Sequence, residues 1–124
     1  MENLNWIAII LGTVVSFLAG WLWYSPKMFG KGWAEGSRVE LGSADSMPVF
    51  AMVAQVVALF LLALVIGITA TTDSLFTAIF AILAAAAFVL SAGAFVRKTG
   101  YALTVDGFYI VISGIIMIAA QGIL

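Results

Sequence analysis

The sequence predicts an all-α fold, a bundle of four transmembrane helices with a short interfacial helix after the first span. Three observations predict it. Hydrophobic residues fill 65% of the 124 positions and charged residues 9%, against roughly 45 to 50% and about 25% in a soluble domain. The charges are confined to short segments, leaving uncharged blocks at 3–26, 46–72, 74–96 and 107–124, and about 20 apolar residues of helix cross about 30 Å of hydrocarbon. The blocks are continuously apolar, whereas strands of a membrane barrel alternate and are only about ten residues long. A single integral-membrane domain over 1–124 follows, with spans at about 4–24, 48–70, 74–96 and 103–124 and a loop at 25–47.

The first span is expected to be retained rather than cleaved. It opens on Glu2 instead of a basic region, and Trp23-Tyr24-Ser25-Pro26 stands where small residues would mark a signal-peptide cleavage site. The segment WLWYSPKMFGKGW, residues 21–33, holds three Trp, a Tyr, a Pro and two Lys. It reads as the place where the first helix leaves the bilayer. Trp6 and Trp23 are 17 residues apart, roughly 26 Å along a helix axis, which matches two aromatic belts with Tyr24 in the second. Ser25 can cap a new turn with Pro26 in its first position, so that Met28, Phe29 and Trp33 face lipid while Lys27 and Lys31 reach phosphates. A Trp and Tyr cage for a cationic ligand is the competing reading. The stretch from Ala34 to Met47 is polar and rich in Gly and Ser, a solvated connector. Ser46 or Met47 before Pro48 is expected to start the second span, and Asp73 to cap the third.

Lys27, Lys31 and Arg38 lie between the first two spans, and Arg97 and Lys98 between the last two. All five cations therefore share one side, which the positive-inside rule makes cytoplasmic, with both termini outside.

Small residues admit close approach of helices in lipid. Gly12, Ser16 and Gly20 recur at intervals of four, Ala84, Ala87, Ser91 and Ala94 at three and four, and Gly107, Gly114 and Gln121 at seven. On the second span Ala54, Ala58, Ala63 and Gly67 are candidates. Counted from the cytoplasmic ends, Ser16, Gln55, Ser91 and Ser113 all fall about 8 to 12 Å deep. This layer is either interhelical hydrogen bonding centred on Gln55 or the floor of a cavity. Gln55 is expected to face the interior with a protein partner.

Chemistry is sparsely provided for. With no His and no Cys, the commonest general base, the commonest transition-metal ligand and all thiol chemistry are absent, and no metal or cofactor site is expected. No carboxylate or cation stands in mid-span. Asp106 lies near the start of the fourth span, where it is expected to cap that helix and meet Arg97 or Lys98; a helix opening at Leu103 would instead carry it about one turn deep. Five scattered cations and a net charge of −1 leave no footprint for nucleic acid.

The pattern Gly20-x-x-Trp23-Tyr24-x-x-x-x-Phe29-Gly30-x-x-Trp33, after a helix opening on Asn5-Trp6, resembles the bacterial integral-membrane family catalogued as domain of unknown function 1761. The resemblance implies a small four-helix protein of bacterial membranes with no established reaction. It also implies a Tyr-His pair in the last helix, where this chain carries Tyr109-Ile110. The reading that results is a multi-pass protein of the bacterial cytoplasmic (inner) membrane, non-enzymatic, acting through helix packing as a homo-oligomer or as accessory subunit of a membrane complex, with the lipid bilayer as its surroundings. The alternative is a small transporter or channel formed on oligomerisation. A head-group-modifying enzyme built on Tyr101, Tyr109 and Asp106 ranks third.

Overall fold

The computed structural model describes residues 3–38 and 49–124. Within them the chain forms α1 (Trp6–Trp23), α2 (Gly30–Ser37), α3 (Val49–Thr71), α4 (Leu75–Phe95) and α5 (Gly100–Ile123), and no strand. Four of these, α1, α3, α4 and α5, are long and apolar enough to cross a membrane. The segment containing Ser46, Met47 and Pro48, expected to open the second span, lies outside the described residues.

Helix α5 touches every other helix and is the axis of the bundle. Its contact with α1 is antiparallel and in strict register: Gly12 lies on Met117, Ser16 on Ser113, and Gly20 on the ring of Tyr109. Each step of four along α1 meets a step of four back along α5, so the small row of α1 is a groove for the larger residues of α5. On another face of α5, Gly107 receives Leu90 and Gly114 receives Ile82 from α4. An apolar cluster of Leu4, Ile9, Leu59, Ala63, Ile66, Ala78, Ile82 and Met117 fills the half of the bundle remote from the cations. Ala84, Ala87, Ser91 and Ala94 do not enter it. They are exposed along the outer face of α4, while Ala78, Ile82, Ala86 and Gly93 take the inner seam.

The connections explain where the helices stop. Asn5 caps α1 by accepting from the Ala8 amide at 3.1 Å. After Trp23 the chain does not restart at Pro26 as expected. Ser25 Oγ turns back to the Leu22 carbonyl at 2.7 Å, so it is not free to cap forward, and the next helix begins only at Gly30. Gly30 sits against the carbonyls of Tyr24 and Ser25 where a Cβ has no room.

Asp73 does not cap α4 either. With φ of 52° it ends α3, the Ser74 amide reaching the Thr69 carbonyl at 2.9 Å and its own amide the Ala70 carbonyl at 3.4 Å, the paired bonds of a Schellman motif. Arg97, with φ of 61°, ends α4 the same way through Lys98 to Gly93 at 3.1 Å and Arg97 to Ala94 at 3.0 Å. Arg38 then lays its guanidinium on the freed carbonyls of Val96 and Arg97, a cation where the helix dipole favours one. Thr99 caps α5 by accepting from the Ala102 amide at 3.2 Å.

Because α5 starts at Gly100, Asp106 is no cap. It stands six residues into the helix, about 9 Å along the axis.

Candidate functional site

A carboxylate at that depth needs donors, since leaving it unpaired is costly in an apolar setting. The fold supplies three. Tyr24, at the end of α1, donates its hydroxyl to Asp106 Oδ1 at 2.6 Å. Trp33, from α2, donates its indole N–H to the same oxygen at 2.8 Å. Lys98, from the α4–α5 turn, forms an ion pair with Oδ2 at 2.8 Å and stands 5.5 Å from the centre of the Trp33 ring. Asp106 is 6% exposed, so its lone pairs are directed at these groups and little else.

Each donor is held by its own element. Trp23, next to Tyr24, donates its indole to the Val105 carbonyl at 3.0 Å and packs on Phe29 at 4.6 Å between ring centres. Trp33 is aimed inward because α2 lies flat on the start of α5. Gly32 faces the Tyr101 ring, Gly36 faces Thr99 and Ala102, and the Thr99 amide donates to the Gly36 carbonyl at 3.1 Å. Tyr24 meets Trp33 and Tyr109 edge-on at 4.9 and 5.5 Å. Burial, the bond to Asp106 and the negative charge beside it push the Tyr24 hydroxyl well above the ordinary tyrosine range.

One turn further along α5, Tyr109 donates to the Ser16 carbonyl at 2.7 Å. Ser113 and Gln55 approach the same hydroxyl. The Ser16 hydroxyl donates to the Ser113 carbonyl at 3.4 Å, and among the described residues Ser113 Oγ has no hydrogen-bond partner. Of the residues expected to form one polar layer, Ser16, Gln55 and Ser113 converge here. Ser91 does not; it is exposed on the outside of α4.

The residues read as membrane anchors divide similarly. Trp6, Lys27, Lys31 and Arg97 are exposed, whereas Tyr24, Trp33 and Lys98 turn inward onto Asp106 and Trp23 and Phe29 are half-buried. Of the two cations expected to meet Asp106, Arg97 or Lys98, it is Lys98 that does, while Tyr24 and Trp33, expected at the lipid interface, bind the carboxylate instead. The signal was present: a carboxylate two turns inside an apolar helix requires donors, and the glycines at 32 and 36 mark the face on which α2 must sit.

A model of the family described as Protein of unknown function (DUF1761) matches residues 7–122. The chain belongs to this family. No curated protein and no solved structure matches it. In this DUF1761 chain the residues that carry the resemblance do one structural job together. Gly20 seats Tyr109, Trp23 and Phe29 brace the end of α1, Gly30 permits the tight turn, and Tyr24 and Trp33 bind Asp106. Chemically, the carboxylate has both oxygens taken by three donors from three parts of the chain. Among the described residues no three His, Cys, Asp or Glu side chains gather around it or elsewhere. The arrangement ties α1, α2 and α5 and the α4–α5 turn to a single side chain.

Proposed function

We propose that this DUF1761 protein is a non-enzymatic protein of the bacterial cytoplasmic membrane that acts through helix packing, as a homo-oligomer joined along the outer face of α4. The observation that carries the reading is the row Ala84, Ala87, Ser91 and Ala94, exposed along about three turns of one face and outside the buried seam of α4. Small residues at such spacing let a second backbone approach closely, and in lipid that contact is what drives association. Bulky Phe80, Phe88 and Phe95 are exposed beside the row, Phe88 at 78%, and supply knobs for the shallow groove of a second copy. The Asp106 cluster keeps the basic end of each protomer closed while the outer faces meet.

Single-cysteine variants test this, since the chain has no Cys of its own. Ala87→Cys and Ser91→Cys are expected to form disulfide-linked dimers on mild oxidation in membranes, while Leu18→Cys on the exposed face of α1 does not. A mass measurement in mild detergent should return an integral multiple of the protomer. A strict monomer, or equal cross-linking at position 18, removes the homo-oligomer; a different protein retained at fixed ratio makes the chain an accessory subunit instead.

A further inference from the structure

Beside the Asp106 cluster, on the lipid-facing side of α5, lies a groove of about 520 Å³ whose walls are almost wholly apolar. Trp23 and Phe29 form one wall and Tyr101, Phe108 and Thr104 the other, with Gly100 at the basic end. Nothing stands within 4 Å of where a Cβ on Gly100 would be, so the groove is open at that point. The Thr104 hydroxyl is already donated to the Gly100 carbonyl at 2.8 Å, which leaves the Tyr101 hydroxyl as the one side-chain donor among lining residues that are otherwise apolar or engaged. An occupant must therefore be apolar along most of its length.

What stands at the mouth decides which apolar occupant. Phe29 is followed two residues later by Lys31 and preceded two residues earlier by Lys27, and both lysines are exposed with no ion pair among the described residues. Lys98, by contrast, is consumed by Asp106. Gly32, adjacent to Lys31, rests on the Tyr101 ring that forms the groove wall, so the lysine-bearing turn of α2 and the groove are parts of one surface. Glu35 is the single acid on α2, one turn beyond Lys31. An apolar slot at the basic end of a membrane bundle, with two exposed cations each two residues along the chain from its Phe29 wall, complements one kind of molecule: a lipid with acyl chains and a negatively charged phosphate headgroup.

We infer that this groove is a discrete binding site for one anionic phospholipid, its acyl chain along Trp23, Phe29 and Phe108 and its phosphate between Lys27 and Lys31. The site is formed by α1, α2 and α5 and does not depend on association through α4.

Native mass spectrometry of the full chain in mild detergent, offered phosphatidylglycerol or phosphatidylcholine at equal concentration, tests the assignment. The wild type should retain a first phosphatidylglycerol about thirtyfold more strongly than phosphatidylcholine, the scale expected for two lysines at an anionic headgroup. The Lys27→Gln/Lys31→Gln double variant should bring the two lipids to parity. Gly100→Leu, which points a side chain into the open end of the groove, should weaken retention of the first lipid of either kind. Undiminished helicity and unfolding temperature of both variants exclude a folding defect, and are expected because Lys27 and Lys31 make no ion pair among the described residues and a Cβ on Gly100 meets nothing within 4 Å. Equal retention of the two lipids by the wild type, a preference that survives the double lysine change, or full retention by Gly100→Leu would each overturn the assignment.

Discussion

Asp106 is the side chain on which most depends, because three elements meet at its two oxygens. Breaking a buried ion pair from one side costs about 3–5 kcal/mol, and a hydrogen bond to a charged group about 1.5–3 kcal/mol. Asp106→Ala should therefore destabilise the chain most, by roughly the first figure, and Tyr24→Phe and Trp33→Phe each by roughly the second. Asp106→Asn keeps the acceptor facing Tyr24 and Trp33 and loses only the pair with Lys98, so it should fall between. Helicity followed against temperature in mild detergent ranks the four, and an Asp106→Ala protein as stable as the wild type would remove the cluster's structural role. Tyr24 gives a second check. Its hydroxyl is pushed up by burial and by Asp106, so the folded chain holds that proton after the unfolded chain begins to lose it near about pH 10. The stabilisation is complete below that point and declines as pH rises beyond it. In an alkaline absorbance titration to about pH 11, folded Tyr24→Phe should match folded wild type, whereas the unfolded chains should differ by one tyrosine. A one-tyrosine difference between the folded proteins would mean that Tyr24 is open to solvent. A partner for Asp106 was legible from proximity in sequence only as Arg97 or Lys98, of which Lys98 takes the place; Tyr24 and Trp33 were not legible, since an aromatic ring with a polar edge suits a lipid interface and a buried carboxylate equally.

The long helices were legible because hydrocarbon thickness sets their length and charges mark their ends, and the observed α3, α4 and α5 start or stop beside Asp73, Arg97 and Lys98. The short helix was harder. Pro26 after Ser25 is a good helix start by local chemistry, yet the serine hydroxyl is taken by Leu22 and the start moves to Gly30. Tertiary fit decided it, and the glycines of α2 report that fit. A Cβ on Gly36 would overlap Thr99 Oγ1 and approach Ala102 Cβ to 2.8 Å, and Thr99 is held in place as the cap of α5. Gly36→Ala should lift α2 away from α5 and cost about 1–3 kcal/mol, the usual cost of overpacking. Gly100→Ala meets nothing within 4 Å and should be neutral or stabilising by up to about 1 kcal/mol through helix propensity. The turn at Asp73 supplies the converse case: a non-glycine residue at φ of 52° is strained, so Asp73→Gly should stabilise by up to about 1 kcal/mol. Thermal unfolding of the three variants tests the set, and an order with Gly36→Ala above Gly100→Ala would show that α2 is not seated as described.

At the scale of the whole molecule the two halves of the bundle differ in kind, and the difference bears on how the chain inserts. One half is sealed by Ile9, Leu59, Ile66, Ile82 and Met117; the other is joined by Asp106, Tyr109 and the aromatic turn, with all five cations at its end. Those cations do not share one task. Arg38 lies on the carbonyls that end α4 and Lys98 on Asp106, so their positions are explained by packing in either orientation. Lys27, Lys31 and Arg97 are exposed, and their placement is what the positive-inside rule interprets. The expectation is that this end faces the cytoplasm. Thr72→Cys and Gly122→Cys, both exposed at the opposite end, should react with an impermeant maleimide in intact cells, and Glu35→Cys only after permeabilisation. Removing the three exposed cations together should yield a mixture of orientations, whereas Arg38→Gln and Lys98→Gln should lower stability and leave labelling unchanged. Glu35→Cys labelled from outside while Thr72→Cys is protected would invert the molecule. Mixed labelling in Lys98→Gln alone would show that the buried ion pair, rather than the exposed charge, directs insertion.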